Sequence, residues 1–209
     1  MLEIQKQKNI LVSKNNYFKG VIMELKGGYW KFSQSLTQRS FVCGRCSTYV
    51  SSIEGYNYSA SSGIYLCPNC SYPTIFGIDG TQFPGPLLGK EIKNIDEDLA
   101  KLYTEIRTDV AHECYTSAIL LSRKFLMHIA VKEGAKIGLN FTEYVNYLTT
   151  EFLPPRSRDW VDRIRIMGNE ANHEISLVTK KDVIEMLNYL ELLLLNLYEY
   201  QIKDEKDKK

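Results

Sequence analysis

Cys43, Cys46, Cys67 and Cys70 stand in the chain as C-x2-C-x20-C-x2-C, and no other feature restricts the fold so tightly. Two residues between ligands let one tight turn aim both sulfurs at a point, and two such turns supply the four tetrahedral corners that Zn²⁺ prefers. Gly44 and Pro68 suit those turns. A thioredoxin-like redox pair would need one C-x-x-C at a strand–helix junction, whereas here there are two, both flanked by β-like text. With four protein ligands no position stays open for water, so the spacing predicts one structural zinc per chain and no catalytic metal. Knuckles this small bury too little surface to fold unaided, and structural zinc supplies on the order of 10 kcal/mol to such units. Cys114 lies outside the quartet and reads as a small buried hydrophobe.

Around the quartet the text is short and β-like. FVC, STYV, GIYLC and YPTIF are separated by Gly, Ser and Asn between residues 41 and 78, which predicts hairpins of a zinc ribbon. GIDGTQFPGPLLGK then packs four Gly and two Pro into fourteen residues, the signature of a linker, assigned to 79–92. Ahead of the ribbon, residues 1–40 carry mixed signals, with strand-like GYWKFSQSL after Gly27 and Gly28.

Beyond the linker the period becomes helical. Ile95, Leu99, Leu102, Tyr103 and Ile106 recur at three- and four-residue steps after the candidate caps Asn94 and Asp96, predicting a helix to about Val110. A second starts near Tyr115 and stops at Gly134; FTEYVNYLTTEFL makes a third, ended by Pro154 and Pro155. A fourth is expected over 157–172, and a fifth opens at Thr179 with Asp182 three residues on, a variant of the capping box. That last helix is Leu-rich and nearly apolar all round, the pattern of a central helix. The fold class is therefore α+β: a small β unit followed, over 93–201, by a bundle of about five helices, with a solvated tail at 202–209.

Hydrophobic content of 44% and charged content of 24% suit a packed core. A net charge of +1 argues against a chain that coats nucleic acid by bulk electrostatics. The charge is uneven, however: residues 1–40 hold seven Lys or Arg against Glu3 and Glu24, a net +5, which leaves −4 for the rest. With Tyr17, Phe18, Tyr29, Trp30 and Phe32 interleaved, this segment suits either RNA or DNA phosphates and bases or simply a solvated face. The start MLEIQKQKNI lacks a charged-then-apolar leader, and the run MLNYLELLLLNLY is broken by Asn188, Glu191 and Asn196, so a cytoplasmic protein with no membrane span is expected. A P-loop, a Rossmann glycine fingerprint, a nucleophile elbow and an H-E-x-x-H helix are all missing.

One stretch, RIRIMGNEANHEI from Arg163 to Ile175, is harder to place in a core. On a helix Arg165, Asn169 and His173 fall within about 80° of arc and form one polar stripe. Gly168 lies at its edge, where a missing side chain admits another backbone or a ligand at a cost of about 1 kcal/mol against Ala. Such a stripe can hydrogen-bond neighbouring backbone, hold a ligand or nucleic acid, or do chemistry. His112 and His128 have no comparable context and read as surface or helix-packing residues.

The pattern I-R-x-x-G-N-x-A-x-H-E, carried by Ile164, Arg165, Gly168, Asn169, Ala171, His173 and Glu174, resembles the signature of the prokaryotic domain-of-unknown-function family 4145. The resemblance extends back through SAILLSRKFL, where Arg123 matches that family's R-x-x-L, and covers about 84–200; a cysteine-knuckle segment ahead of the bundle is similar to many members. Met127 departs from the acidic residue usual after R-x-x-L. That family resembles the wider HEPN group of helical bundles (higher eukaryotes and prokaryotes nucleotide-binding), found in phage defence, toxin systems and restriction enzymes. The resemblance implies a module that binds nucleic acid or a protein partner, often as a homodimer, with Arg165, Gly168, Asn169, His173 and Arg123 as the residues to watch. The alternative it implies is a metal-independent ribonuclease in which His173 moves the proton and Arg165 stabilises phosphate charge. Seven residues separate Arg165 from His173, however, and Gly168 precedes Asn169, so the usual nuclease spacing is absent.

Overall fold

The computed structural model describes residues 30–153, 166 and 178–200. Five antiparallel strands form one sheet in chain order: β1 (Gln34–Val42), β2 (Tyr49–Asn57), β3 (Gly63–Leu66), β4 (Pro73–Phe76) and β5 (Gln82–Phe83). Phe41 pairs with Val50, Gly55 with Tyr65, and Gly63 with Phe76. The alternation of buried and exposed residues breaks at Ile53 and Glu54, which are both exposed, and the β1–β2 register shifts between Ser35 and Arg39. One face of the sheet buries Phe41, Val50, Tyr65 and Phe76, with Phe76 set edge-on to Phe41 and Tyr65 at 5.3 and 5.5 Å between ring centroids. Of the strand-like text after Gly28, residues 34–36 open β1 while Lys31 and Phe32 lie in a turn ahead of it, and the last strand lies inside the Gly- and Pro-rich segment. Arg39, one of the cations of the basic start, is spent internally: its guanidinium lies 4.3 Å from the Phe76 centroid and donates to the Ser61 carbonyl.

The helices are α1 (Glu97–Ala111), α2 (Tyr115–Lys132), α3 (Phe141–Phe152) and α4 (Lys180–Leu194). Their starts follow from caps. Asp96 accepts from the backbone N–H of Asp98 and Leu99, and both Asn140 with Glu143 and Thr179 with Asp182 close full capping boxes. After α2 the chain turns at Gly134, whose φ of +106° is open to glycine. Leu99, Ile106, Phe125, Ile129, Leu148, Met186, Leu190 and Leu193 make one core, in which Tyr103 stacks on Phe125. The expected central helix is α4: Val183, Met186, Leu187, Tyr189, Leu190, Leu193 and Leu194 are all buried, and it continues into a π-helical turn at Leu195–Glu199. Four α-helices stand among the described residues. Of the helix expected over 157–172 only Ile166, helical and exposed, is among them; the segment 1–29 and the tail lie outside.

Between sheet and helices the chain is tied down, not loose. Gly85 N–H donates to the Ala111 carbonyl at the end of α1 (2.7 Å). Buried Arg107 donates to the carbonyls of Leu88 (2.6 Å), Gly89 (2.8 Å) and Leu87 (3.4 Å). Farther along, Glu191 accepts from Lys90 N–H, Glu199 from Lys93 N–H, and Asn94 donates to the Tyr198 carbonyl. Gly89, at φ +77°, lies so close over the ring of Tyr103 that a Cβ there would stand 2.6 Å from the phenol oxygen. Residues 85–94 thus form a strap along the bundle, because unpaired carbonyls in a Gly- and Pro-rich segment find an arginine and helix ends within reach.

Candidate metal centre

Two equivalent turns build the centre. In the first, Cys43 N–H donates to Thr48 O, and Ser47 N–H closes the turn onto Cys43 O; in the second, Cys67 N–H donates to Tyr72 O, and Ser71 N–H closes onto Cys67 O. Ser47 and Ser71 both take left-handed conformations, at φ +54° and +60°. The same C-x-x-C-S text therefore folds twice into the same shape, at the β1–β2 and β3–β4 connections. Each turn brings its two sulfurs to one side.

All four sulfurs lie within 4.8 Å of one another. Across the turns, Cys43 Sγ stands 3.7 Å from Cys70 Sγ, and Cys46 Sγ 3.8 Å from Cys67 Sγ. These separations are far too long for a disulfide and equal the edge, about 3.8 Å, of a tetrahedron with Zn–S bonds of about 2.3 Å. Cys43 and Cys67 are buried and the other two half-buried, so the centre sits at the edge of the sheet's core. Crowded thiols cannot all ionise alone. Cys46 is held below the ordinary thiol range by bonds from Cys43, Cys67 and Cys70, while Cys70 and Cys67 are pushed up, first by Cys43 and then by Cys46. A bound divalent cation removes that conflict by neutralising the thiolates together. The donor set and its geometry fit a structural metal, with the four cysteines as its ligands.

Supporting groups brace the turns against each other. Asn69, inside the second turn, donates to Cys46 Sγ (3.5 Å) and to Thr48 Oγ1 (3.1 Å) of the first, and the Arg45 guanidinium lies 4.8 Å from the Tyr72 ring centroid. N–H groups aimed at sulfur disperse thiolate charge and orient the ligand. Ligand spacing does not single out Asn69; its place inside a C-x-x-C turn is the one signal the sequence offers for it.

The other candidate residues fare differently. Arg123, on α2, stacks on the ring of Phe141 at the start of α3, 4.1 Å from its centroid, and burial lowers its pKa. Arg165, Gly168, Asn169 and His173 lie outside the described residues. Cys114 is a correction: it is exposed, not buried, because the α1–α2 corner leaves it at the N-terminal end of α2 with its thiol facing the His112 carbonyl. His128 is exposed, whereas His112 packs edge-on against Phe83. Arg107 bears no mark in the sequence, although it is the buried cation that anchors the strap. No helix among the described residues is long and apolar enough to cross a membrane.

Fold and site together define an α+β protein in which a small antiparallel sheet carries a four-cysteine centre able to hold a metal ion, ahead of a helical core. The family model described as Domain of unknown function (DUF4145) matches residues 104–209, just over half of the chain, and the chain belongs to that family. No curated protein matches the chain, and no solved structure does.

Proposed function

We propose that the chain is a binding module, a zinc ribbon joined to a HEPN-like helical bundle, that engages nucleic acid or a protein partner in a prokaryotic phage-defence or mobile-element setting. The observation that carries this reading is the convergence of Cys43, Cys46, Cys67 and Cys70 on one point, with cross-turn separations matching tetrahedral zinc. Four thiolates fill the coordination shell, so the zinc holds a surface in shape and does no chemistry. That surface is unusual in what it leaves in water: Phe32 is 93% exposed, Tyr49 72% and Tyr58 85%. Ile53, Ile75 and Phe83 of the same sheet are exposed as well. Aromatic faces in water at this density suit stacking on bases or packing against a partner's apolar side chains. A homodimer, formed through the bundle, belongs to the same reading.

The test is binding of the purified, zinc-loaded chain to labelled single-stranded and duplex RNA and DNA over a salt series, together with mass spectrometry of whatever copurifies. Binding that weakens steeply with salt supports nucleic acid as the partner. No binding at low salt with a stoichiometric copurifying protein assigns the surface to protein. Neither nucleic acid nor protein, at one zinc per chain, overturns the proposal.

A further inference from the structure

The geometry points to a coupling element: the first cysteine turn and residues 82–85 form one packed unit through which filling of the four-cysteine centre holds the α1–α2 corner in place. This rests on the metal reading above and adds to it a conformational consequence inside the helical part of the chain.

The links are short and mostly backbone. Gly44 lies between two of the ligands, Cys43 and Cys46, and a Cβ added there would stand 2.4 Å from the Gly85 carbonyl oxygen and 2.9 Å from that of Pro84. The turn and the start of the strap are therefore in direct backbone contact, with no flexible side chain between them to absorb a shift. Gln82 spans the same joint, its Nε2 donating both to the Val42 carbonyl (2.8 Å), one residue before Cys43, and to the Pro84 carbonyl (3.0 Å). On the other side of the joint Gly85 N–H satisfies the Ala111 carbonyl, one of the acceptors a helix leaves unpaired at its C-terminus. Next in the chain, His112 meets Phe83 edge-on at 5.6 Å between centroids, and its Nδ1 is 2.8 Å from Thr108 O. Glu113 follows in a left-handed conformation, at φ +62°, and Cys114 N–H returns to Asp109 O. The corner therefore depends on the position of 82–85, and that position depends on the shape of the turn that two ligand sulfurs define.

A loaded centre holds Gly44 in its turn, keeps Gly85 on Ala111 and Phe83 on His112, and so closes the corner. An emptied centre frees the turn, and the corner opens while the bundle's own core persists. Linkage requires the converse: whatever opens the corner weakens the metal.

The experiment is amide hydrogen exchange on the full chain, zinc-loaded and after chelation, read at Gly85 and across residues 111–115, with zinc affinity measured by competition with a chelating dye. Metal removal is expected to speed exchange at the corner by about 5- to 150-fold, the usual span of coupling between sites. Exchange in the α4 core should change far less. In Phe83→Ala and Gln82→Ala, which leave all four sulfurs in place, zinc affinity should fall by up to the same factor. Gly44→Ala should open the corner even in loaded protein; Phe83→Ala keeps the test available if that variant folds poorly. Corner exchange unchanged by chelation, or unaltered zinc affinity in both Phe83→Ala and Gln82→Ala, overturns the coupling. Failure to bind zinc at all overturns the metal reading instead, so the two failures are distinguishable.

Discussion

Arg107 donates from Nε to the Leu88 carbonyl at 2.6 Å, and the same guanidinium reaches Gly89, so one buried cation on α1 organises a segment that composition alone reads as a linker. Burial lowers its pKa, yet an arginine stays charged, and the carbonyls replace the water it gave up. Arg107→Ala should destabilise the protein by about 2–4 kcal/mol in urea denaturation, as expected for losing charge-assisted bonds and leaving half-buried carbonyls unpaired. Arg107→Lys should recover only part of this, because an ammonium cannot span three carbonyls as a planar fork does. Limited proteolysis between 85 and 94 should accelerate in both variants.

Tyr103 carries a buried hydroxyl with no hydrogen-bond partner among the described residues. Burial pushes its phenol up to about 12, with Arg107 pulling the other way, and burial pushes Tyr189 up to about 12 as well. A raised folded-state pKa means that the neutral form is favoured on folding. The stability this contributes is complete below pH ~10, where the unfolded phenol titrates, and is lost as pH rises towards 12; across that window each pH unit removes about 1.4 kcal/mol per phenol. Denaturation midpoints should therefore fall between pH 10 and 12 while phenolate absorbance rises. Tyr103→Phe should match or exceed the parent in stability at pH 8, within about 1 kcal/mol, and decline less steeply in alkali.

Asp96 does two things at one helix end: it caps α1 through Asp98 and Leu99, and it forms an ion pair with Lys132 from the end of α2. Asp96→Ala should cost about 1–2 kcal/mol, chiefly through the lost cap. Lys132→Ala should cost less than about 1 kcal/mol, since both partners are part-exposed. A double-mutant cycle with thermal melts separates the two contributions; a coupling larger than either single effect would contradict this division.

Cys43→Ser combined with Cys67→Ser removes one ligand from each turn. Metal content should drop from near one zinc per chain to near none, and the sheet should unfold, given the order of 10 kcal/mol that such sites contribute. The far-UV helical signal should survive, because Leu99, Phe125, Leu148 and Leu190 form a core that needs nothing from the sheet. Near-UV signals from Tyr65 and Phe76 should be lost.

Much of this molecule is legible in its text, for reasons that are local. Cys43 to Cys70 announce the centre because ligand spacing and turn geometry are set by neighbours in sequence. The caps at Asp96 and Thr179 are readable for the same reason, since each bonds to groups two or three residues on. Asn69 escapes such a reading because its partners, Cys46 and Thr48, are more than twenty residues away. Cys114 defies its own hydrophobic preference because burial at a helix corner depends on what packs against it.

By itself, then, the order of residues determined the four-cysteine cluster, the starts of the four described helices and the nearly all-round apolar character that makes α4 central, all consequences of short-range spacing, periodicity and capping. Tertiary structure alone decided that Arg107 would turn a Gly- and Pro-rich linker into a docked strap, and that Gly44 would touch Gly85. Those contacts join groups far apart in the chain, and their free energy exists only once hairpin and bundle have brought backbone carbonyls, a buried cation and a bare glycine to the same place.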